Sequence, residues 1–419
     1  MNDREQSAPK ARWPASQGFL LVVLTAVGTV NWADRQVVPI LFPGIRKDLN
    51  LTDTELGVIG GLAFSLIYAL SSFAFGYAAD RHVRKHVMAF GLVLWSMATA
   101  ASGLADGFWS LFWARFFTGV GEASLYPCAL SLIAERFPPT QRGRALGIFA
   151  AAAAIGGGLG IGLGGRLAET LGWQKVFFIY GAVGLVCLPA LLALHEPKRE
   201  SLAHRESTAQ ALKAVVRDKR LLWLWAAGTV AMASGQGFGA WVPSYFVRNL
   251  GLDVTQAGAL FGASALIGGI LGGILGGTLA DRRRRARVGG EFDVAAVAAI
   301  SAAVLVLLTL QAGVGTLAAL GGLFATLMIY GTFPGLLSAM LSLAPAHRHG
   351  ATGAVNTLCL GGIGAASGPF VVGATSDALG SLHAALYLPI IGLFGAGLLA
   401  VQAGRVVRKT DGEPLPPTP

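Results

Sequence analysis

The chain reads as an all-α integral membrane protein of twelve transmembrane helices arranged as two similar six-helix bundles. Three observations lead there: a composition too apolar for a water-facing surface, apolar runs of membrane-spanning length, and pieces of sequence that repeat at nearly constant spacing. Of 419 residues, 54% are hydrophobic and 13% charged, against about 25% charged in soluble domains. So few charges cannot cover a solvated surface. The net charge of +10 would suit a nucleic acid if the basic residues were gathered on one face, but they sit in the breaks between apolar runs, so no nucleic-acid partner is expected.

Crossing a bilayer core takes about 20 apolar residues per helix. The expected spans are 17–40, 56–78, 87–105, 109–134, 143–167, 174–194, 221–246, 255–280, 292–311, 314–343, 350–375 and 382–404. The run from Gly18 to Val30 follows basic residues as a signal peptide would. No small-residue cleavage site closes it and further spans follow, so it is read as the first helix. The second span ends on the polar segment Gly76 to Lys85, and the fourth carries Arg115 and Glu122 inside an apolar run. The fifth holds a glycine run, Gly156-Gly-Gly-Leu-Gly160-Ile-Gly162, of the kind that lets helices pack closely. After the sixth comes the long polar stretch from His195 to Arg220, and after the eighth the arginines Arg282 to Arg285. Cys128, Cys187 and Cys359 lie inside apolar runs without disulfide or zinc-ligand spacing, and ordinary packing is their expected role.

An even number of spans puts both termini on one side. Of the 32 Lys and Arg residues, only Arg46, Lys47, Arg166, Lys175 and Arg248 fall in the opposite loops, and Arg35 and Arg115 fall inside spans. The remainder accompany the termini, which the positive-inside rule places in the cytoplasm.

Repetition divides the chain in two. Gly76-Tyr-Ala-Ala-Asp80-Arg81 matches Gly277-Thr-Leu-Ala-Asp281-Arg282 at a spacing of 201 residues, and Arg142-Gly-Arg-Ala-Leu-Gly147 matches Arg348-His-Gly-Ala-Thr-Gly353. Gly165-Arg-Leu-Ala-Glu169-Thr-Leu-Gly172 matches Gly373-Ala-Thr-Ser-Asp377-Ala-Leu-Gly380 at 208. Matches in the same order argue for duplication. The expected organisation is an N-terminal tail, 1–16; a first bundle, 17–194; a linker, 195–220, in which Ser207 to Val216 has the pattern of a surface helix; a second bundle, 221–404; and a C-terminal tail, 405–419, Pro-rich from Thr410.

Gly76-Tyr-Ala-Ala-Asp-Arg-His-Val-Arg-Lys85 resembles the signature loop of the major facilitator superfamily, with Val83 where a glycine is common. Arg115-Phe-Phe-Thr-Gly119-Val-Gly121-Glu122 is similar to that superfamily's fourth-helix pattern. Within it, Asn31-Trp-Ala-Asp34-Arg35 and Gly119-Val-Gly-Glu122-Ala-Ser124 resemble the Spinster lipid transporters. The resemblance implies a two-bundle transporter fold. It also implies an inter-half latch built on Gly76, Asp80, Arg81, Arg84 and Arg142, with Asp281 and Arg282 as counterparts.

Ionisable residues inside a span cost about 3 kcal/mol or more and usually face a cavity or a partner. Asp34 and Arg35 either sit in the outer half of the first span or at its interface. Arg115 and Glu122, seven residues apart, share a helix face with roughly 10 Å of rise between them, and Thr118 and Gly119 lie on that face. A static ion pair is one reading; a cavity lined by small residues is the other. A carboxyl out of water resists ionisation while a nearby cation favours it, and arginine stays charged. The expectation is proton coupling on Asp34 and Glu122, with Arg115 and Arg35 as charge partners or head-group ligands.

Side-chain amides are scarce in the spans, Asn31, Gln36, Gln236, Gln311 and Asn356 being nearly all. That disfavours a sugar and favours an amphiphile with a small charged head, passing Phe64, Tyr68, Tyr126, Trp241, Tyr245 and Tyr330. A lysophospholipid or sphingolipid-like cargo is the first reading, leaning partly on the Spinster resemblance. An organic-anion or drug carrier is the second, and a non-transporting receptor or scaffold the third. No metal cluster, nucleophile motif or phosphate loop points to an enzyme, a metal or a cofactor. The expected partners are protons, the lipid bilayer and a small amphiphile, for a monomer in the bacterial inner membrane.

Overall fold

The structure, a computed structural model, describes residues 13–196, 208–313, 316–345 and 348–411. Much of the expected N-terminal tail, part of the linker and the end of the Pro-rich tail lie outside them. The long helices are α1 (Ala15–Leu49), α2 (Asp53–Arg81), α3 (Arg84–Ser102), α4 (Phe108–Arg136), α5 (Thr140–Leu171) and α6 (Trp173–Leu192). The second set is α7 (Lys219–Leu250), α8 (Val254–Ala286), α9 (Gly290–Gln311), α10 (Ala319–Leu343), α11 (His349–Leu379) and α12 (Leu382–Thr410). Among the described residues ten of these are long and apolar enough to cross a membrane, and α3 and α7 complete the twelve. A helix at Thr208–Arg217 occupies the linker segment that had the surface-helix pattern and buries Val215 beside Leu221 and Leu224 of the second half.

The turns α1–α2 and α7–α8 are built alike. Asn50 (φ 51°) and Gly251 (φ 69°) take the left-handed conformation that ends each preceding helix. Thr52 and Asp253 then cap the next helix, each in a capping box, with Glu55 and Gln256 respectively. Residues 50–55 and 251–256 are 201 apart, so this is a further copy of the repeat. Identity at Leu51/Leu252 and Thr54/Thr255 marks it only weakly, because Asn with Gly, and Thr with Asp, fill the same turn and cap roles with different side chains.

The bundle has a terminal face, which carries both chain ends, and an opposite face. Toward the opposite face a single apolar core joins the halves, running from Val37, Phe42 and Ile45 of α1 to Phe238, Trp241 and Phe246 of α7. Toward the terminal face the core splits in two. Leu20, Leu24, Leu92 and Phe149 belong to a first-half cluster, and Leu224, Phe292, Met340 and Ala403 to a second-half cluster. The halves are thus welded at one end and separately packed at the other.

Two backbone approaches bring the seam together. A Cβ on Gly156 or Gly160 would collide with the α1 backbone at Thr29 and Ala33, while one on Gly158, turned the other way, would meet Leu266 of α8 at 2.6 Å. The glycine run of α5 therefore packs on both halves at once. α2 and α11 meet just as closely: a Cβ on Gly57 would lie 2.6 Å from the Pro369 carbonyl. Beside this crossing both helices carry a wider π-helical stretch, Val58–Leu66 and Thr357–Gly364, a departure from regular helix that often marks functional positions.

Candidate functional site

Four charges meet inside the first half. On α1, Asn31, Asp34 and Arg35 follow i, i+3, i+4 spacing and so lie on one face, which the packing turns inward: Asn31 and Asp34 are 0% and 1% exposed. The Thr99 hydroxyl of α3 donates to Asp34 Oδ2 at 2.5 Å. Arg35 crosses to α4 and donates to Glu122 Oε2 through Nη2 at 2.9 Å and Nε at 3.3 Å. Its guanidinium carbon lies 4.7, 4.8 and 4.4 Å from the ring centres of Trp32, Phe64 and Tyr68, a cation–π cage that holds the cation where water is scarce.

Arg115 is also buried, 5.1 Å from the Phe64 ring centre, within electrostatic reach of Asp34, Glu122 and Arg35. Its Nε and Nη1 have no hydrogen-bond partner among the described residues, nor do Asp34 Oδ1, Glu122 Oε1 and both polar atoms of Asn31. Two carboxylates against two guanidiniums make a cluster that is neutral when all four are ionised. Buried charges tolerate little else.

Arg35 and Arg115 open onto a cavity of about 120 Å³ between the halves, shared with Gln36, Tyr68 and, from the second half, Met232 and Gln236. Trp32, Gln36, Met232 and Gln236 also border a neighbouring cavity of about 140 Å³, whose other walls include Ile161, Phe238, Phe261, Ile329 and Phe333. One chamber is charged on the first-half side. The next carries no charge and is lined mainly by apolar and aromatic side chains, with Gln36, Gln236 and Thr326 among them.

Several expected site residues fall elsewhere. Phe64 and Tyr68 line the charged chamber, and Tyr330 the apolar one. Tyr126 stands one layer behind, its hydroxyl accepting from Trp32 Nε1 at 2.7 Å. Thr118 is fully buried and donates to the Ala114 carbonyl, and the room beside Gly119 is taken by the Phe64 carbonyl, 2.8 Å from where a Cβ would stand. The face between Arg115 and Glu122 is packed against α2, not open. Trp241 is 0% exposed, donating to the Pro369 carbonyl at 2.8 Å, and belongs to the seam core. Tyr245 is buried there too and donates to the Leu310 carbonyl. Met232, Phe261 and Phe333 carry no sequence signal for the chambers, whereas Trp32 lies in the Asn31-Trp-Ala-Asp34-Arg35 motif and Gln36 and Gln236 are among the few amides of the spans.

Arg84 and Arg142, expected in the inter-half latch, make the contacts seen here outside the second half. Arg84 donates to Glu196, at the start of the linker, at 2.7 Å and to Ser131 at 2.8 Å and pairs with Glu135, none of them in the second half. From the first turn of α3 its side chain reaches the end of α4 and the segment after α6. Arg142 binds the Ala134 carbonyl, within the first half. Arg81 lies over Tyr77, at 4.0 Å, and Asp80, Asp281 and Arg282 are exposed at helix ends. Gly76 has open space around it.

Polar ties between the halves occur at the opposite face. Asp53, at the start of α2, receives both Nη1 and Nη2 of Arg248 from α7 at 2.8 Å, the Ser376 hydroxyl of α11 at 2.6 Å, and Arg46 of its own half at 3.1 Å. Asp377 of α11 accepts from the backbone N–H of Asp53 and Thr54 at 3.1 and 2.7 Å, and Glu169 of α5 accepts from that of Thr255 at 2.8 Å.

The family description Major Facilitator Superfamily matches residues 24–369. The chain belongs to the major facilitator superfamily. It is 30% identical over 282 residues to an MFS-type efflux pump of Mycolicibacterium smegmatis, covering 66% of this chain and 64% of that protein. It is 30% identical to human protein spinster homolog 1, covering 56% of this chain and 47% of that protein, and 28% identical to the hexuronate transporter of Bacillus subtilis, covering 56% and 58%. The matched region thus spans about half to under two thirds of these relatives. A solved bacterial homolog of the human lysosomal transporter Spinster superposes with a TM-score of 0.84 at 22% identity, covering 95% of this chain and 99% of that one. This superfamily fold, with its membrane-spanning helices, makes the chain an integral membrane protein.

Proposed function

We propose that the chain is a proton-coupled secondary transporter of amphiphiles that works by alternating access, with both termini cytoplasmic and the central chambers facing inward in this structure. The observation that carries the reading is the pair of adjoining chambers, one bearing Arg35 and Arg115, the other walled by Phe238, Phe261 and Phe333. An anionic head belongs in the first and a hydrocarbon chain in the second. Charge balance supplies the coupling. With Asp34 and Glu122 ionised the cluster is neutral; a proton on Asp34 leaves it with a surplus positive charge, which an anionic head group on Arg115 restores to neutrality. Proton and anion then favour each other's binding, as linkage requires.

The resemblance of Asn31-Trp-Ala-Asp34-Arg35 and Gly119-Val-Gly-Glu122-Ala-Ser124 to the Spinster lipid transporters supports lipid-like cargo. The small volume of the charged chamber, about 120 Å³, favours the second reading, a compact organic anion, and the likeness to a hexuronate transporter agrees with it. Purified protein in liposomes under an imposed pH gradient, offered labelled lysophospholipid against hexuronate, separates the two. Uptake of lysophospholipid driven by the gradient supports the first; uptake of hexuronate alone overturns it.

A further inference from the structure

The largest of the cavities described, about 450 Å³, lies away from the central chambers, between α8, α9 and α10. Its size falls in the range of roughly 300–1,000 Å³ typical of ligand sites. The floor is the seam of α8 and α10, where Gly272 and Gly276 bring the backbones into contact at Leu327 and Gly331. At the position equivalent to Gly276, 201 residues earlier, α2 carries Phe75, packed on the first-half core. The glycine contact that forms the floor at Gly276 is therefore not repeated at that position in the first half.

Its apolar walls include Leu275, Leu279 and Val297, each about half or more exposed. Its mouth at the terminal face is charged, with Arg283 at the end of α8 and Asp293 in the first turn of α9. Asp293 is already engaged by Arg408 at 3.3 Å and Arg287 at 3.8 Å, and Arg284 by the Ser338 hydroxyl at 3.2 Å. Arg283 has no ion-pair partner among the described residues, and Arg282 and Arg285 add to the positive field around it. A hydrocarbon-lined groove with a guanidinium that has no ion-pair partner among the described residues complements a lipid with a net negative head.

We propose that this groove holds one anionic glycerophospholipid, its phosphate on Arg283 and an acyl chain along Leu275, Leu279 and Val297. The site is separate from the central chambers and does not depend on what they carry.

Native mass spectrometry of the purified full-length protein, titrated with phosphatidylglycerol or with phosphatidylcholine of the same chains, tests it. The expected result is one phosphatidylglycerol held at least tenfold more tightly than phosphatidylcholine, a preference that added salt weakens. Arg283→Gln should bring the affinity down about tenfold, as loss of a charged hydrogen bond predicts. Ser301 stands on the α9 wall of the groove, and Ser301→Phe, which narrows it, should weaken both lipids; if that variant does not fold, Arg283→Gln and the salt series still decide. The adduct should survive Arg115→Gln, which separates it from lipid bound in the central chamber. Equal retention of the two lipids, or a phosphatidylglycerol affinity that Arg283→Gln leaves unchanged, would overturn the proposal.

Discussion

Asp377, near the end of α11, accepts the backbone N–H of Thr54 at 2.7 Å and its hydroxyl at 2.6 Å, so a carboxylate of the second half caps the first turn of a first-half helix. Glu169, its partner in the repeat, does the same to Thr255 at the start of α8, in the reverse direction between halves. Thr54 and Thr255 are 201 residues apart and Glu169 and Asp377 are 208 apart, so duplication has produced two related clasps across the seam. Each sets a negative charge on the positive end of a helix. Asp53 with Arg248 reinforces one clasp only.

If these clasps close the opposite face, weakening one should open it. Asp377→Asn keeps an acceptor but loses the charge, a loss of about 1 kcal/mol, and should raise the fraction open at that face about fivefold. Distances between spin labels placed on the α1–α2 and α7–α8 turns would measure it. An unchanged distribution would mean that the apolar core alone holds the face shut.

Asp34→Asn should abolish gradient-driven uptake in liposomes while the protein still elutes as a folded monodisperse species. Transport by this variant with an unaltered pH dependence would remove Asp34 from the coupling.

The two buried arginines should differ in what they do. Arg35→Gln leaves the carboxylate of Glu122, 0% exposed, without its partner, and breaking such a pair should cost about 3–5 kcal/mol of stability. Adding Glu122→Gln should return most of it. Arg115→Gln should instead raise the Kd for anionic amphiphile about 10- to 100-fold, the worth of a charged hydrogen bond. Thermal unfolding and binding titrations on the same variants separate the effects.

Glu196 ties the end of the first half to α3. Burial opposes its ionisation, but hydrogen bonds from the Arg84 side chain and from the backbone N–H of Arg84 and Lys85 outweigh that and hold its carboxyl below the usual range. With the folded value depressed, its stabilisation is complete above the unfolded value of about 4.3 and is lost as pH falls through the folded one. Glu196→Gln should lower Tm at pH 7, by about 1–2 kcal/mol of stability, and bring variant and parent together in acid. A constant difference in Tm across that range would show that Glu196 acts only by packing.

Membrane embedding, the spans and the duplication were legible in the sequence because each rests on local chemistry: apolar length, loop charge and short repeated motifs. The glycine run of α5 announced a close approach, while Asp34, Arg35, Arg115 and Glu122 stood out as ionisable residues in or at the edge of spans, with burial of the first two left open. Spacing along one helix shows which residues share a face, but not what stands opposite. Only the packing of α1 on α4 made Arg35, and not Arg115, the partner of Glu122, and only the packing of α2 filled the space beside Gly119. The charged loop at Asp80 lies at the terminal face. The ties formed by Asp53, Arg248, Glu169 and Asp377 gather at the other, because they join residues from 86 to 324 positions apart whose meeting depends on how two six-helix bundles lean together.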